Sequence, residues 1–325
     1  MNFVVVGCGL IGQKRAKALR AAGHSVHMAV DFIPERAEAL ARQHVEALFS
    51  TDWRKSVSAP GAEAVVVATT NEWLAPVTTA AIRAGKHVLV EKPAARTVEE
   101  IDAVIAAARE ARVQVQVGFN HRYHPALQMA RKLCDSAALG PLLFLRGRYG
   151  HGGRLGYEKE WRANPEISGG GELIDQGVHL IDLGRWFLGD FDRVDGHAKT
   201  YFWNMPVDDN AFLSLRTAAH QTAWLHVSCT EWKNLFSMEI YGRDGKLDIQ
   251  GLGGSYGVER IAYYKMLPSM GPPETTIWEY PGEDKSWQLE LQDFDQSIRS
   301  GISCGPTLDD AKAALQVVET IYGTV

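Results

Sequence analysis

The feature that most limits how this chain can fold is the order of its first 120 residues, where short apolar runs alternate with amphipathic segments and a glycine cluster closes the first run. Phe3 to Val6 is continuously apolar, as a strand covered on both faces must be. Leu10 to Ala22 has helical spacing and stops at Gly23; Val26 to Val30 is a second strand; a helix starts near Pro34 and reaches about His44. A weak strand is expected at Ala47 to Phe49 and a clear one at Ala64 to Ala68. Helix Ala75 to Ala84, strand His87 to Val90, helix Val98 to Ala111 and strand Val113 to Val117 complete the series. Such alternation predicts a parallel, doubly wound sheet.

The pattern changes after about Asn120. A helix at Pro125 to Cys134 leads into strand-like segments at Leu142 to Tyr149, Ala211 to Leu215, Thr222 to Ser228, Phe236 to Tyr241, Lys246 to Ile249 and Arg260 to Tyr264. Short turns such as Gly242 to Gly245 join several of them, which predicts a mostly antiparallel sheet. One helix from about Glu172 to Leu188 interrupts it, and helices near Ser286 to Ser300 and Leu308 to Tyr322 end the chain. The expected division is an α/β Rossmann domain over 1–120, then an α+β domain with a large, mostly antiparallel open sheet over 121–325.

Composition removes several classes of function. With 34 Lys and Arg against 39 Asp and Glu, the net charge is -5 and no basic block occurs, so neither nucleic acid nor an anionic membrane is an expected partner. No apolar run approaches the ~20 residues of a membrane helix. Met1-Asn2-Phe3 runs straight into the first strand without the basic start of a secretory leader. Cys8, Cys134, Cys229 and Cys304 lie far apart without CxxC spacing. They read as reduced thiols in a cytoplasmic protein, with no disulfide frame and no metal site.

The first strand ends in Gly7-Cys8-Gly9-Leu10-Ile11-Gly12, a GxGxxG between strand and helix. Gly7 allows the tight turn, Gly9 lets backbone approach a pyrophosphate, and Gly12 lets the helix pack on the strand; the N–H groups around Leu10 and Ile11 face the phosphates. Asp31 ends the second strand, about 20 residues on, where a carboxylate accepts from adenosine ribose hydroxyls and repels a 2′-phosphate. The expected cofactor is therefore NAD in preference to NADP.

Two further segments carry chemistry. Glu91-Lys92-Pro93 follows the strand His87 to Val90, at the carboxyl end where ligands of such sheets bind. From position alone, a surface lysine is the simpler account of Lys92. The second segment runs from Gly169 to Asp182, and its helix is apolar nearly all round apart from Asp175, His179 and Asp182 at i, i+4 and i+7. Ionisable groups on a buried helix are costly unless paired or in use. His179 suits proton transfer and Asp175 suits orienting it; a structural Asp–His brace accounts for the pattern equally well.

GCGLIG, AGKHVLVEKP at Ala84 to Pro93, VGFNHRYHPA at Val117 to Ala126 and GGGELIDQGVHLIDL at Gly169 to Leu183 together resemble the glucose-fructose oxidoreductase / inositol dehydrogenase (Gfo/Idh/MocA) family, in the same order along the whole chain. The resemblance implies catalytic positions at Lys92, Asp175 and His179. It adds Thr70, Asn71, Glu91 and Lys92 to the cofactor site, and Asn120, Arg122, Trp161 and Arg162 to the substrate site. It implies hydride transfer to or from a ring hydroxyl or keto group of a sugar, inositol or nucleotide-linked sugar, by a homodimer or homotetramer built on the C-terminal sheet. It also raises the expectation of a cis Lys92–Pro93 bond. Tyr123, Tyr157 and Asn164 extend a lining suited to a polyol.

There are departures. Leu74 stands where the family often has histidine, beside a Trp73 expected to shape the nicotinamide pocket, and His121 is added between Asn120 and Arg122. Gly251 to Gly257 reads as a glycine-rich bend, with a phosphate cradle as the rarer alternative. Two other functions stay open on the same fold: a catalytically silent NAD- or sugar-sensing regulator, and an NAD-dependent glycosidase. Either Lys92 or His179 could be the proton acceptor.

Overall fold

The computed structural model describes residues 1–269 and 271–323, which fall into two compact units. The first is built on β1 (Asn2–Val6), α1 (Leu10–Ala21), β2 (Ser25–Val30), α2 (Pro34–Ala41), β3 (Leu48–Ser50), α3 (Trp53–Ser56), β4 (Ala64–Val67), α4 (Asn71–Arg83), β5 (His87–Glu91), α5 (Val98–Ala111) and β6 (Val115–Gly118). The strands pair in the order β3-β2-β1-β4-β5-β6 and every pairing is parallel. Strand order reverses between β1 and β4, and in open sheets of this kind ligands bind at the carboxyl ends beside that switch. Phe3, Val5, Leu19, Ala29, Leu40 and Val66 form its core. The expected helix from Ala75 starts four residues earlier: Thr70 precedes the first turn, and Pro76 lies inside the helix.

The second unit contains α6 (Pro125–Asp135), β7 (Leu142–Gly150) and, after the helical turn α7 (Pro165–Ser168), a π-helical turn at Leu173–Gly177 that runs directly into α8 (Val178–Leu188). Then come β8 (Phe191–Lys199), β9 (Asn210–Thr217), β10 (Thr222–Ser228), β11 (Leu235–Gly242), β12 (Gly245–Gln250), β13 (Glu259–Lys265) and β14 (Glu274–Tyr280). The eight strands pair in the order β14-β13-β12-β11-β7-β10-β9-β8; only β7 with β10 is parallel. Neither β8 nor β14 was expected. Both are edge strands whose sequences, FDRVDGHAK and ETTIWEY, lack the clean apolar alternation of a half-buried strand. One face of the sheet is covered: Leu145, Leu213, Leu225, Met238 and Leu247 are buried. Leu180 of α8 reaches the backbone of β7 at Gly147, where a Cβ would meet its Cδ2 at 3.3 Å.

The chain ends in α9 (Ser286–Ser300) and α10 (Leu308–Tyr322), as expected. The break near residue 120 coincides with the unit boundary at Phe119, but the expected second domain, 121–325, is not continuous: Glu166–Gly169 and Trp287–Leu315 belong to the first unit. The reason is burial. Leu291 and Phe294 of α9 sit in the core with Phe3 and Leu19. Glu290 forms an ion pair with Arg15 of α1, a side chain only 2% exposed. A buried guanidinium needs carboxylate partners; Glu91 supplies one and Glu290 the other.

Candidate active site

The glycine loop has the shape a dinucleotide needs. Gly7 has φ +94, and a Cβ there would meet Ala68 O at 2.2 Å; a Cβ on Gly12 would meet Gly7 O at 1.9 Å. These two glycines are required by chain against chain. Gly9 differs: nothing lies within 4 Å of where its Cβ would be, leaving open space above the loop. The first N–H groups of α1, which starts at Leu10 and Ile11, have no partner within the helix by the geometry of any helix start. Asp31 is held at the lip, its Oδ2 accepting from Cys8 N at 2.8 Å and its Oδ1 from Ile33 N at 2.9 Å. Burial and the nearby Asp31 charge push the Cys8 thiol up to about 12, so it is no nucleophile. The loop thus fits the NAD that its sequence implies. Thr70 and Asn71 open α4 after β4, and Asn71 is tied by its amide to Ser168 O at 2.8 Å. Trp73 does not stand alone as a pocket wall: its ring packs against Phe32, next to Asp31, at 5.5 Å and against Trp53 at 6.1 Å.

Lys92 sits at the end of β5, half-buried, and the Lys92–Pro93 bond is cis as expected. Ala94, with φ +71, closes the turn by donating its N–H to Glu91 O at 2.9 Å. Glu91 accepts from Arg15 Nε at 2.6 Å, and Arg15 also pairs with Glu290 beneath the ring of Trp287. The carboxylate expected at the cofactor is therefore part of a buried ion triad under the loop that carries Lys92.

In the second unit, the start of the helical segment is capped from a distance. Asp208 accepts from Gly171 N at 3.0 Å, Leu173 N at 2.8 Å and Tyr322 OH at 2.8 Å. A Cβ on Gly171 would fall 2.0 Å from Asp208 O, so only glycine lets the two chains meet. The π turn that follows interrupts the uniform α-helical spacing expected for Asp175, His179 and Asp182. Asp175 lies within it, buried, and its Oδ2 accepts from Arg162 Nε at 2.8 Å. His179 is 4% exposed in the first turn of α8, and its ring stacks on that of His121 with centroids 3.8 Å apart and planes at 21°. Asp182 is gripped by Arg122.

The expected substrate residues are distributed accordingly. Arg162 lies over the ring of Trp161, and the Asp175 charge, with its hydrogen bond, outweighs burial to raise the Arg162 pKa. Asn120 donates to Ser286 Oγ at 2.9 Å. Tyr157 is buried, its OH 3.5 Å from Glu172 Oε2. Four N–H groups of the Gly251 to Gly257 bend are taken within the bend and its sheet: Gly251 donates to Phe236 O, Gly253 to Gly257 O, Tyr256 to Gly253 O and Gly257 to Gly254 O. A phosphate cradle needs several such groups pointing one way.

Three participants escaped sequence reasoning. Glu172 is 1% exposed, its pKa raised by burial, with His151 Nε2 3.5 Å from its Oε1. Burial opposes charge on His151, but the Glu172 hydrogen bond and charge prevail and its pKa is raised. Tyr149, buried and so raised well above the usual phenol range, packs against Tyr256 of the glycine bend at 5.6 Å. The glycine run flagged Glu172, but nothing local pointed to a partner 21 residues earlier. Among the described residues no group of three or more His, Cys, Asp or Glu is arranged to hold a metal ion, and no helix is long and apolar enough to cross a membrane.

A Rossmann sheet with an open glycine loop in one unit, and a buried carboxylate–imidazole helix packed on a sheet in the other, define a dinucleotide-dependent oxidoreductase. The chain belongs to the Gfo/Idh/MocA family: the model of the oxidoreductase family with NAD-binding Rossmann fold matches residues 1–119, and that of the GFO/IDH/MocA C-terminal domain matches residues 127–248. It is 33% identical to inositol 2-dehydrogenase 2 of Saccharopolyspora erythraea over 100% of this chain and 93% of that one. It is 27% identical to the NAD(+) scyllo-inositol 2-dehydrogenase of Bacillus subtilis (100% and 93% covered) and 27% identical to levoglucosan dehydrogenase of Pseudarthrobacter phenanthrenivorans (85% and 81% covered). Among solved structures, levoglucosan dehydrogenase in complex with NADH and levoglucosan has a TM-score of 0.87 at 26% identity, covering 100% of this chain and 96% of that one.

Proposed function

We propose that this oxidoreductase prefers NAD(H) to NADP(H) and acts on a ring hydroxyl, or the matching ketone, of an uncharged cyclic polyol. The observation that carries the reading is His179, buried on α8 directly after a π turn that also holds Asp175. Helical π turns recur at functional sites, and an imidazole at such a position suits proton transfer. In the oxidising direction His179 takes the hydroxyl proton. Lys92 hydrogen-bonds the same oxygen and stabilises the negative charge that develops on it. Asp175, anchored by Arg162, sets the electrostatics that favour the imidazolium. NAD, when bound, would supply the acceptor for the hydride that leaves the carbon bearing that hydroxyl. In the reducing direction His179 returns the proton.

The preference for an uncharged substrate rests on where the cations are spent. Arg122 is held by Asp182, Arg162 by Asp175 with Glu160 at 3.7 Å, and four N–H groups of the glycine bend are bonded within the bend and its sheet. A phosphate or nucleotide would have to displace a carboxylate already in place. Sugar- and inositol-directed relatives support the polyol class. The test is NADH absorbance with NAD and a panel of inositols, free and anhydro sugars, sugar phosphates, nucleotide-sugars and apolar alcohols. Turnover of the first group supports the reading; turnover confined to nucleotide-sugars or apolar alcohols overturns it. Hydrolysis with no net NADH would identify the glycosidase alternative, and sugar binding without turnover the regulator.

We further propose a cytoplasmic homo-oligomer assembled through the outer face of the eight-stranded sheet. Trp224 is 60% exposed there, and Phe212 stacks between His197 and His226 on the same face. Such an uncovered aromatic surface suits a self-complementary interface. Sedimentation should show a dimer or tetramer, and Trp224→Glu should shift it toward monomer; a wild-type monomer at micromolar concentration would overturn the assembly.

A further inference from the structure

We infer that His121 is a positioning residue for the reaction: it forms one stacked imidazole pair with His179, and the pair holds a single proton. The inference rests on the reading of His179 as proton acceptor. The geometry is confined to the second unit. His121 stands in the helical turn Asn120–Tyr123, 4% exposed, with its ring centroid 3.8 Å from that of His179 and nearly parallel to it. The rest of its surroundings lock that plane. Tyr149 meets the His121 ring edge-on at 4.8 Å, Phe236 at 5.8 Å and His124 at 5.7 Å. Tyr149 also stands edge-on to His179 at 6.0 Å. The second imidazole is thus fixed by β7, β11 and the start of α6 and has no room to swing away.

Two consequences follow from simple electrostatics. A flat neutral ring over His179 fixes its tilt and stabilises it by stacking, whether His179 is neutral or has just received a proton. Two imidazolium charges at that separation, out of water, repel strongly, so the rings titrate as a coupled pair and the second proton binds only at much lower pH. His179 can therefore accept the substrate proton only while His121 is neutral. Ionisable groups near the pair include His124 and Tyr149, with Asp175 and Glu172 acting on Tyr149. His124 Nδ1 lies 3.0 Å from Glu259 Oε2, and Glu259 also accepts from Ala126 N at 2.6 Å. Asp175 and Asp182, four residues before and three after His179, are answered by Arg162 and Arg122. Tyr149 keeps its proton because burial raises its pKa.

The test uses the full-length protein with NAD and whichever inositol or sugar the panel shows to be turned over. His121→Phe retains a flat ring without a proton site; His121→Leu fills the space without one. The phenylalanine variant is expected to keep kcat within about threefold. The leucine variant is expected to lose about tenfold or more in kcat with KM little changed, a loss in the range that misplacing a general base produces. Independently of activity, long-range 1H–15N correlation of the imidazole signals should show His179 titrating in two steps in the wild type and one step in His121→Phe. Equal kcat in wild type, Phe and Leu variants, or the same one-step His179 titration in wild type and Phe variant, would overturn the proposal. Retained turnover in His179→Ala would instead overturn the reading beneath it. The wild-type titration needs no variant to fold.

Discussion

Arg122 holds Asp182 through both arms of its guanidinium, Nε to Oδ2 at 2.8 Å and Nη2 to Oδ1 at 2.5 Å. The carboxylate side chain is 1% exposed and the arginine 13%, so the pair is nearly dry. Removing one member leaves the other charged and uncompensated. Arg122→Ala should destabilise the protein by about 3 to 5 kcal/mol, measured by urea unfolding, while the double change Arg122→Met with Asp182→Leu should cost clearly less. If the single and double variants lose the same stability, the pairing is not what makes Arg122 necessary.

The engagement of Arg122 and Arg162 also fixes an expectation for specificity. Against one uncharged polyol and its phosphate ester, kcat/KM should favour the uncharged form by tenfold or more, because a phosphate meets neutralised guanidinium groups and the carboxylates that neutralise them. An equal or better rate with the ester would show that an arginine leaves its carboxylate to bind substrate.

Lys92→Ala and His179→Ala should each lower kcat by about 10² to 10⁴-fold, the usual contribution of a general acid–base group, with NADH binding by fluorescence nearly unchanged. Asp175→Asn should lose less, since it weakens the hold of Arg162 without removing a proton acceptor. Near-normal kcat in either alanine variant would make that side chain structural.

Asp31 already accepts two backbone N–H groups, from Cys8 and Ile33, so its carboxylate is oriented before any cofactor arrives. NADH should bind more tightly than NADPH, and Asp31→Ala should narrow the difference by removing both the ribose partner and the repulsion of a 2′-phosphate. Tighter binding of NADPH to the wild type would refute the preference.

His151 and Glu172 predict a pH dependence of stability. The folded-state pKa of His151 is raised above its ordinary value by Glu172, so its contribution is fully present below about 6.5 and is lost as pH rises through the raised pKa. The stability difference between wild type and His151→Gln, from urea midpoints, should therefore be larger at pH 6 than at pH 8.5. A difference that grows with pH would reverse the assigned direction.

The glycine loop, Asp31, the turn around Lys92 and nearly every central strand were legible in the sequence because each depends on local rules: where glycine is needed, how buried strands read, what a helix start offers. The edge strands β8 and β14 were not, since their largely exposed sequences lack the apolar alternation of a half-buried strand. The partners of the ionisable groups were not legible either. Glu91 is expected at the cofactor, and nothing in its own segment announces that its carboxylate meets Arg15 across 76 positions or that Glu290 joins the same arginine across 275. His121 stood out only as an extra histidine, and the π turn that carries Asp175 into α8 left no mark on the periodicity. Residue type decides which side chains need a partner when buried, because an unpaired charge is too costly away from water. Which partner meets that need depends on segments far apart in the chain arriving at one place, and only the tertiary structure settles it.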